Sequence, residues 1–148
     1  MRKLEARADV RFKIEEGSPS ILGSYRVGGN RALSTPDLLE FFKVSAGEPL
    51  DPVLMRQSAD RVEETYRGLG YKFAKIHLPQ MEEIPEGKVD YGVRVDEGPL
   101  VKIGEIRVRG NLHTKEYVVR RELTFEKQET YDPEKLKESR RKLLRLGF

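Results

Sequence analysis

His77 and His113 are the only histidines in the chain, and histidine is the side chain best suited to proton transfer or metal ligation near neutral pH. The two stand far apart. Neither has an acid–base partner, a nucleophile arrangement or a phosphate-cradling glycine loop in its neighbourhood, so both read as surface or edge residues. The chain is expected to be a non-enzyme with no catalytic residue and no cofactor. Glu82, Glu83 and Glu86 gather hard oxygen donors of the kind calcium prefers, but in a loop between two strands they read as the solvated tip of a hairpin, and no metal site is expected. A basic run, Lys135, Lys137, Arg140, Arg141 and Lys142, offers contacts to nucleic acid or anionic lipid. Leu136, Leu143 and Leu146 mark its buried stripe, and no aromatic residue is interleaved to stack on bases. A solvated helix face is the better reading; a nucleic-acid-binding module using that last helix is the rival. Main-chain chemistry remains. An edge strand presents N–H and C=O groups that capture an extended segment by β-augmentation. The candidate residues are Lys72, Phe73, Ala74, Lys75, Ile76, His77 and Leu78, with Lys72 and Lys75 as charges that guard against self-association. The groove between that strand and the helix before it is the other candidate.

What positions this edge is a repeat. Glu16-Gly17 recurs as Glu97-Gly98, Gly29-Asn30 as Gly110-Asn111 and Asp51-Pro52 as Asp132-Pro133, at a common offset of 81 (97 − 16, 110 − 29 and 132 − 51 alike). Leu22, Tyr25 and Val27 match Ile103, Ile106 and Val108, and Val10, Phe12 and Ile14 match Tyr91, Val93 and Val95. A period this long exceeds that of most solenoids, so each unit is a small domain with its own core. Residues 1–17 read as the closing strand of a preceding unit, 18–97 as a complete unit, and 98–148 as the first strand and two helices of a following one.

Composition narrows the class further. The net charge of +3 from 28 basic and 25 acidic side chains is nearly balanced and argues weakly for a polyanion partner. Without cysteine there are no disulfides or thiolate metal sites. No apolar run approaches the length of a membrane-spanning helix.

Within the complete unit, residues 22–28 read as a strand and 28–30 as a turn. Thr35 reads as the cap of a short helix with Pro36 at its first position, and Asp51-Pro52 opens a longer helix that Gly70 ends. Residues 71–78 read as a strand with a bulge near Ala74-Lys75, and Val89, Tyr91, Val93 and Val95 alternate as the closing strand. The order β-α-α-β-β fits an α+β fold in which a three-stranded mixed sheet, order 1-3-2, is covered on one face by two helices. After Gly98 the series restarts, with a strand over 103–109, a cap at Thr114, a helix from Lys115 to about Leu123 and a last helix from Asp132-Pro133 to Leu146. Ser58 and Ser139 occupy matched helix positions where a small residue lets helix and sheet approach.

The closing strand running into Glu97-Gly98-Pro99, then Ile103-Gly104, Ile106, Val108 and Gly110-Asn111, then Tyr131-Asp132-Pro133 and Leu146-Gly147-Phe148, resembles the polypeptide-transport-associated (POTRA) domains of the Omp85 superfamily. The resemblance covers nearly the whole chain. It implies tandem POTRA modules in the periplasm, or an equivalent organellar space, belonging to a longer protein with a membrane barrel. The implied partners are unfolded outer-membrane β-barrel proteins and accessory assembly lipoproteins or periplasmic chaperones, with Glu97, Gly98 and Pro99 as the inter-module joint. From Asp-Pro to the helix-ending glycine the first copy spans 70 − 51 = 19 positions and the second 147 − 132 = 15, about one helical turn less; the shorter copy resembles the barrel-proximal module of the family. Two-partner secretion and chloroplast import channels are the alternatives within it. The sequence also raises strand-swapped self-association, with residues 10–14 of one copy pairing to residues 103–109 of another.

Overall fold

The computed structural model describes residues 10–13, 18–80, 84 and 86–147. The element order is β1 (Ser20–Gly28), α1 (Thr35–Leu39), α2 (Pro52–Gly68), β2 (Lys75–His77), β3 (Gly87–Asp96), α3 (Glu116–Arg120) and α4 (Pro133–Arg145). β3 lies in the middle of a three-stranded sheet, parallel to β1 and antiparallel to β2. This is the expected α+β arrangement with mixed order 1-3-2.

Alternation in β3 dictates how the sheet packs. Tyr91, Val93 and Val95 are buried while Gly92, Arg94 and Asp96 are exposed, so one face meets the helices and the other meets water. Against the inner face sit Leu38 and Phe42 from the α1 region and Met55, Ala59, Val62 and Tyr66 from α2, together with Leu22 and Ile76. Each such large side chain contributes about 1.5–3 kcal/mol of burial. Gly29, in the turn after β1, has φ +88°, and a Cβ there would lie 2.0 Å from the Val95 carbonyl oxygen. Only glycine lets the turn approach β3 this closely.

The helix starts follow capping chemistry, with two corrections. Asp51 caps α2, its carboxylate accepting the Val53 and Leu54 amides at 2.8 and 3.1 Å, with Pro52 at the first turn. Asp132 does the same for α4. Ser34, not Thr35, caps α1, because its hydroxyl is the oxygen that accepts the Asp37 amide. The cap of α3 is Lys115, not Thr114, and no side chain bonds the free amides there. α3 also ends at Arg120, short of the expected Leu123. Gly70, with φ +98°, terminates α2 as its composition suggests.

One expected strand is shortened and another does not form. Over 71–78, only Lys75–His77 is strand; the stretch before it is a turn closed by the Ala74 amide on the Tyr71 carbonyl at 3.1 Å. The change of phase read as a bulge at Ala74-Lys75 is this turn. Residues 103–109 do not form a strand: among the described residues no strand lies beside them, and their nearest ladder contact is the Lys102–Thr130 bridge. Residues 10–13 carry no regular structure, and the rest of the expected N-terminal strand lies outside the described residues.

Candidate functional site

β2 is an edge strand because β3, the last strand in sequence among the described residues, takes the centre of the sheet. β2 runs antiparallel to β3 with Ile76 opposite Val95, and the Ile76 amide turns away from β3 toward α2. That amide is not open. It donates to Glu63 Oε1 of α2 at 3.1 Å, and the Ala74 amide is held by Tyr71. Glu63 is only 3% exposed although charged. Its second oxygen accepts from Arg67 at 2.8 Å, with Lys75 at 3.6 Å and Arg56 at 3.7 Å completing a ring of cations. The groove between β2 and α2 is therefore bridged by one carboxylate. Lys72, Phe73, Lys75 and His77 are exposed, Phe73 conspicuously so at 59%, whereas Ala74 and Ile76 are buried.

Glu97 turns back into its own unit: Oε1 accepts the Arg31 and Ala32 amides at 2.6 and 2.7 Å and the Tyr66 hydroxyl at 3.0 Å. Burial pushes its carboxyl up, but the Ala32 and Arg31 amides and the Tyr66 hydroxyl outweigh that and hold it below the usual glutamate value. Gly98 adopts φ +63° and its amide bonds Asp96. Contact across to the next unit is made by the end of α2. The Gly70 carbonyl accepts the Val101 amide at 3.0 Å, a Cβ on Gly70 would sit 2.4 Å from Thr130 Cγ2, and Lys72 Nζ lies over the rings of Phe73 and Tyr131.

Beyond the joint the wiring repeats. Leu22 accepts from Gly47 and donates to Glu48, and Leu50 donates to Ser20; Ile103 accepts from Gln128 and donates to Glu129, and Tyr131 donates to Val101. Every partner is displaced by the same 81 positions. A family model described as POTRA, surface antigen variable number repeat, matches residues 21–98 and again 101–148. The chain belongs to the POTRA family.

Relatives of these POTRA units are found within longer proteins. The chain is 28% identical over 138 residues to the outer membrane protein assembly factor BamA of Neorickettsia risticii, covering 93% of this chain and 19% of that protein. It is 21% identical over 145 residues to BamA of Neisseria meningitidis serogroup B, covering 97% of this chain and 18% of the relative. It thus spans about a fifth of the length of these curated relatives. Among solved structures, Haemophilus influenzae BamA POTRA3-5 superposes with a TM-score of 0.61 at 17% identity, covering 86% of this chain and 51% of that one. BamA from Haemophilus ducreyi lacking POTRA domains 1-3 gives 0.63 at 20% identity, over 86% of this chain and 24% of the other. These likenesses carry the fold.

The other chemically suggestive residues stay apart. His77 is exposed on β2 and His113 in the turn before α3. Glu82 and Glu83 lie outside the described residues; among those described, no group of three or more histidine, aspartate or glutamate side chains converges as metal ligands would. On α4, Lys135 pairs with Glu129, Lys137 with Glu134 at 2.6 Å and Lys142 with Glu138 at 3.3 Å. Sequence reasoning missed Glu63, and the signal was available: it sits beside Ala59, Val62 and Tyr66 on the apolar stripe of α2, where an unpaired charge is costly. It also missed Gly70, Thr130 and Tyr131 as joint residues, because their contact joins two units whose relative placement no local pattern encodes.

Proposed function

We propose that this chain is a periplasmic POTRA scaffold segment of an outer-membrane protein assembly factor. It receives unfolded outer-membrane β-barrel proteins by β-augmentation along residues 72–78 and docks accessory lipoproteins or periplasmic chaperones, with no catalysis of its own. The observation that carries this reading is the tandem POTRA match together with relatives named as assembly factors, which favours assembly over secretion or import. The position of β2 at the sheet edge supports the binding mode, since main-chain pairing gives affinity with loose demands on sequence. Three lysines of α4 answered by glutamates of the same chain weigh against nucleic acid as the ligand.

The test is a proton–nitrogen NMR titration of the labelled chain with a peptide copying the last strand of an outer-membrane barrel. Shifts concentrated on residues 71–78 are expected. A titration that moves no resonance overturns polypeptide reception and leaves a spacer that docks other proteins.

A further inference from the structure

Glu63 is the only charged residue among the described ones that is buried, and the core around it does not need a carboxylate. Its neighbours on the helix, Ala59, Val62 and Tyr66, pack as an apolar stripe. What the carboxylate does is stand where an added strand would stand. Oε1 takes the outward amide of Ile76 at 3.1 Å, the bond that a backbone carbonyl of a pairing strand makes. Oε2 meanwhile takes Arg67 at 2.8 Å, within a ring that includes Lys75 and Arg56.

We propose that Glu63 is a built-in substitute for the incoming strand: it occupies the β2 edge in the free protein and yields it to an extended segment that brings a carboxylate of its own. The inference rests on the β2-edge reading above and names both what regulates that edge and what class of segment it takes. In the exchange each group keeps a partner. The Ile76 amide trades a carboxylate oxygen for a backbone carbonyl, Glu63 swings from the groove into water, and Arg56, Arg67 and Lys75 receive the acidic side chain that replaces it. Arg56 also pairs with Asp60 at 2.7 Å, but a segment with an apolar or basic residue at that place leaves Arg67 and Lys75 without the counter-charge that Glu63 gave them, so the edge selects acidic segments. Glu63 also blunts the edge against unwanted pairing while no client is present, the purpose that inward charges serve on other edge strands.

Two measurements on the whole chain test this, with Glu63→Ala and Glu63→Gln as variants. The first needs no ligand. Amide hydrogen exchange at Ile76 is expected to be about tenfold faster in Glu63→Ala than in the parent, with Val93 and Val95 unchanged as a check on the fold; Glu63→Gln, which keeps an acceptor, stays slow. Unaltered exchange at Ile76 in the alanine variant overturns the inference and leaves the edge reading standing. The second measurement titrates two alternating peptides that differ only at a central residue, glutamate or lysine. The glutamate peptide is expected to bind Glu63→Ala about tenfold more tightly than the parent, and to bind both more tightly than the lysine peptide does. Equal affinity of parent and alanine variant, or of the two peptides, overturns the inference alone. Absence of binding to every variant, with Ile76 exposed by the exchange criterion, overturns the inference and the edge reading together. If Glu63→Ala loses its protected core, Glu63→Gln decides by the peptide comparison: it removes the charge, and must still bind the glutamate peptide more tightly than the parent does.

Discussion

Leu22 and Ile103 stand 81 positions apart and make the same pair of main-chain hydrogen bonds, each accepting from and donating to the loop that precedes the long helix. Leu22 is fully buried; Ile103 is half-exposed. The same contrast runs through the two units. Leu38 is 0% exposed and its counterpart Val119 8%, while Met55 and Val62, both inaccessible, correspond to Leu136 and Leu143, which are not. Beside Tyr25 lies Tyr91 of β3. Beside Ile106 there is no such strand among the described residues, and its carbonyl takes the Arg120 guanidinium at 3.0 Å. An apolar cavity of about 280 Å³ lies between Val108, Leu112, Val119 and Leu143. Local wiring is thus set by the strand–loop–helix sequence alone, whereas a dry core requires the central strand.

Substituting Val93 by aspartate separates these two levels most sharply. Val93 is 2% exposed in the middle of β3, and a carboxylate there without a partner costs at least about 4 kcal/mol. Amide exchange is expected to show Leu22 and Leu50 deprotected while Ile103 keeps whatever protection it had. Simultaneous loss at Ile103 breaks the claim that the second unit's wiring is local.

Matched glycines give the next largest effect. Gly29→Ala forces both a left-handed backbone and a collision with the Val95 carbonyl, and should cost about 3 kcal/mol or more by chemical denaturation. Gly110 has a similar φ of +80° with nothing within 4 Å of its would-be Cβ, so Gly110→Ala should cost only about 1–2 kcal/mol. Equal costs would mean that proximity to β3 is irrelevant to the turn.

Glu97 offers a smaller effect with a pH signature. Its folded pKa lies below the ordinary 4.5, so its contribution is complete above that value and fades as pH falls through the depressed folded one. Denaturant titrations should find Glu97→Gln less stable by about 1 kcal/mol at neutral pH, because solvent screens the partly exposed carboxylate. The difference should close as the medium is acidified into the carboxylate's own titration range. Smallest is Gln128, which holds φ +69° at the position where the first unit has Gly47 at +92°. Gln128→Gly should stabilise the second unit by about 0.5–1 kcal/mol, read as slower amide exchange at Ile103 and Tyr131.

The repeat, the sheet order and the capping of α2 and α4 by Asp51 and Asp132 were legible in the sequence because each is written in local residue types or in periodicity. Less legible was where an extended segment becomes a strand. Residues 103–109 carry apolar residues at 103, 106 and 108 that match Leu22, Tyr25 and Val27 of β1, yet strand pairing needs a neighbour, and no local pattern supplies one. Of the residues 72–78 expected as an edge strand, Lys75–His77 is strand, and the carboxylate that bridges it to α2 comes from a residue on another element. Ser139 carries the same lesson. Predicted only as a small residue, it accepts the Thr124 amide at 2.8 Å, whereas Ser58, its counterpart, donates to the Leu54 carbonyl within its own helix.

Strand order also governs when a unit can finish. β1 and β2 never touch; each is joined to the sheet only through β3, which follows both in sequence. As the chain emerges from synthesis or export, the earlier segments can form their turns and helices but have no sheet to join until residue 96 is free. Glu97 then ties the tail of β3 to the turn that follows β1. Completion is therefore a single late event, and a partner that seizes the chain before the central strand arrives meets an open half-unit rather than a partly built sheet.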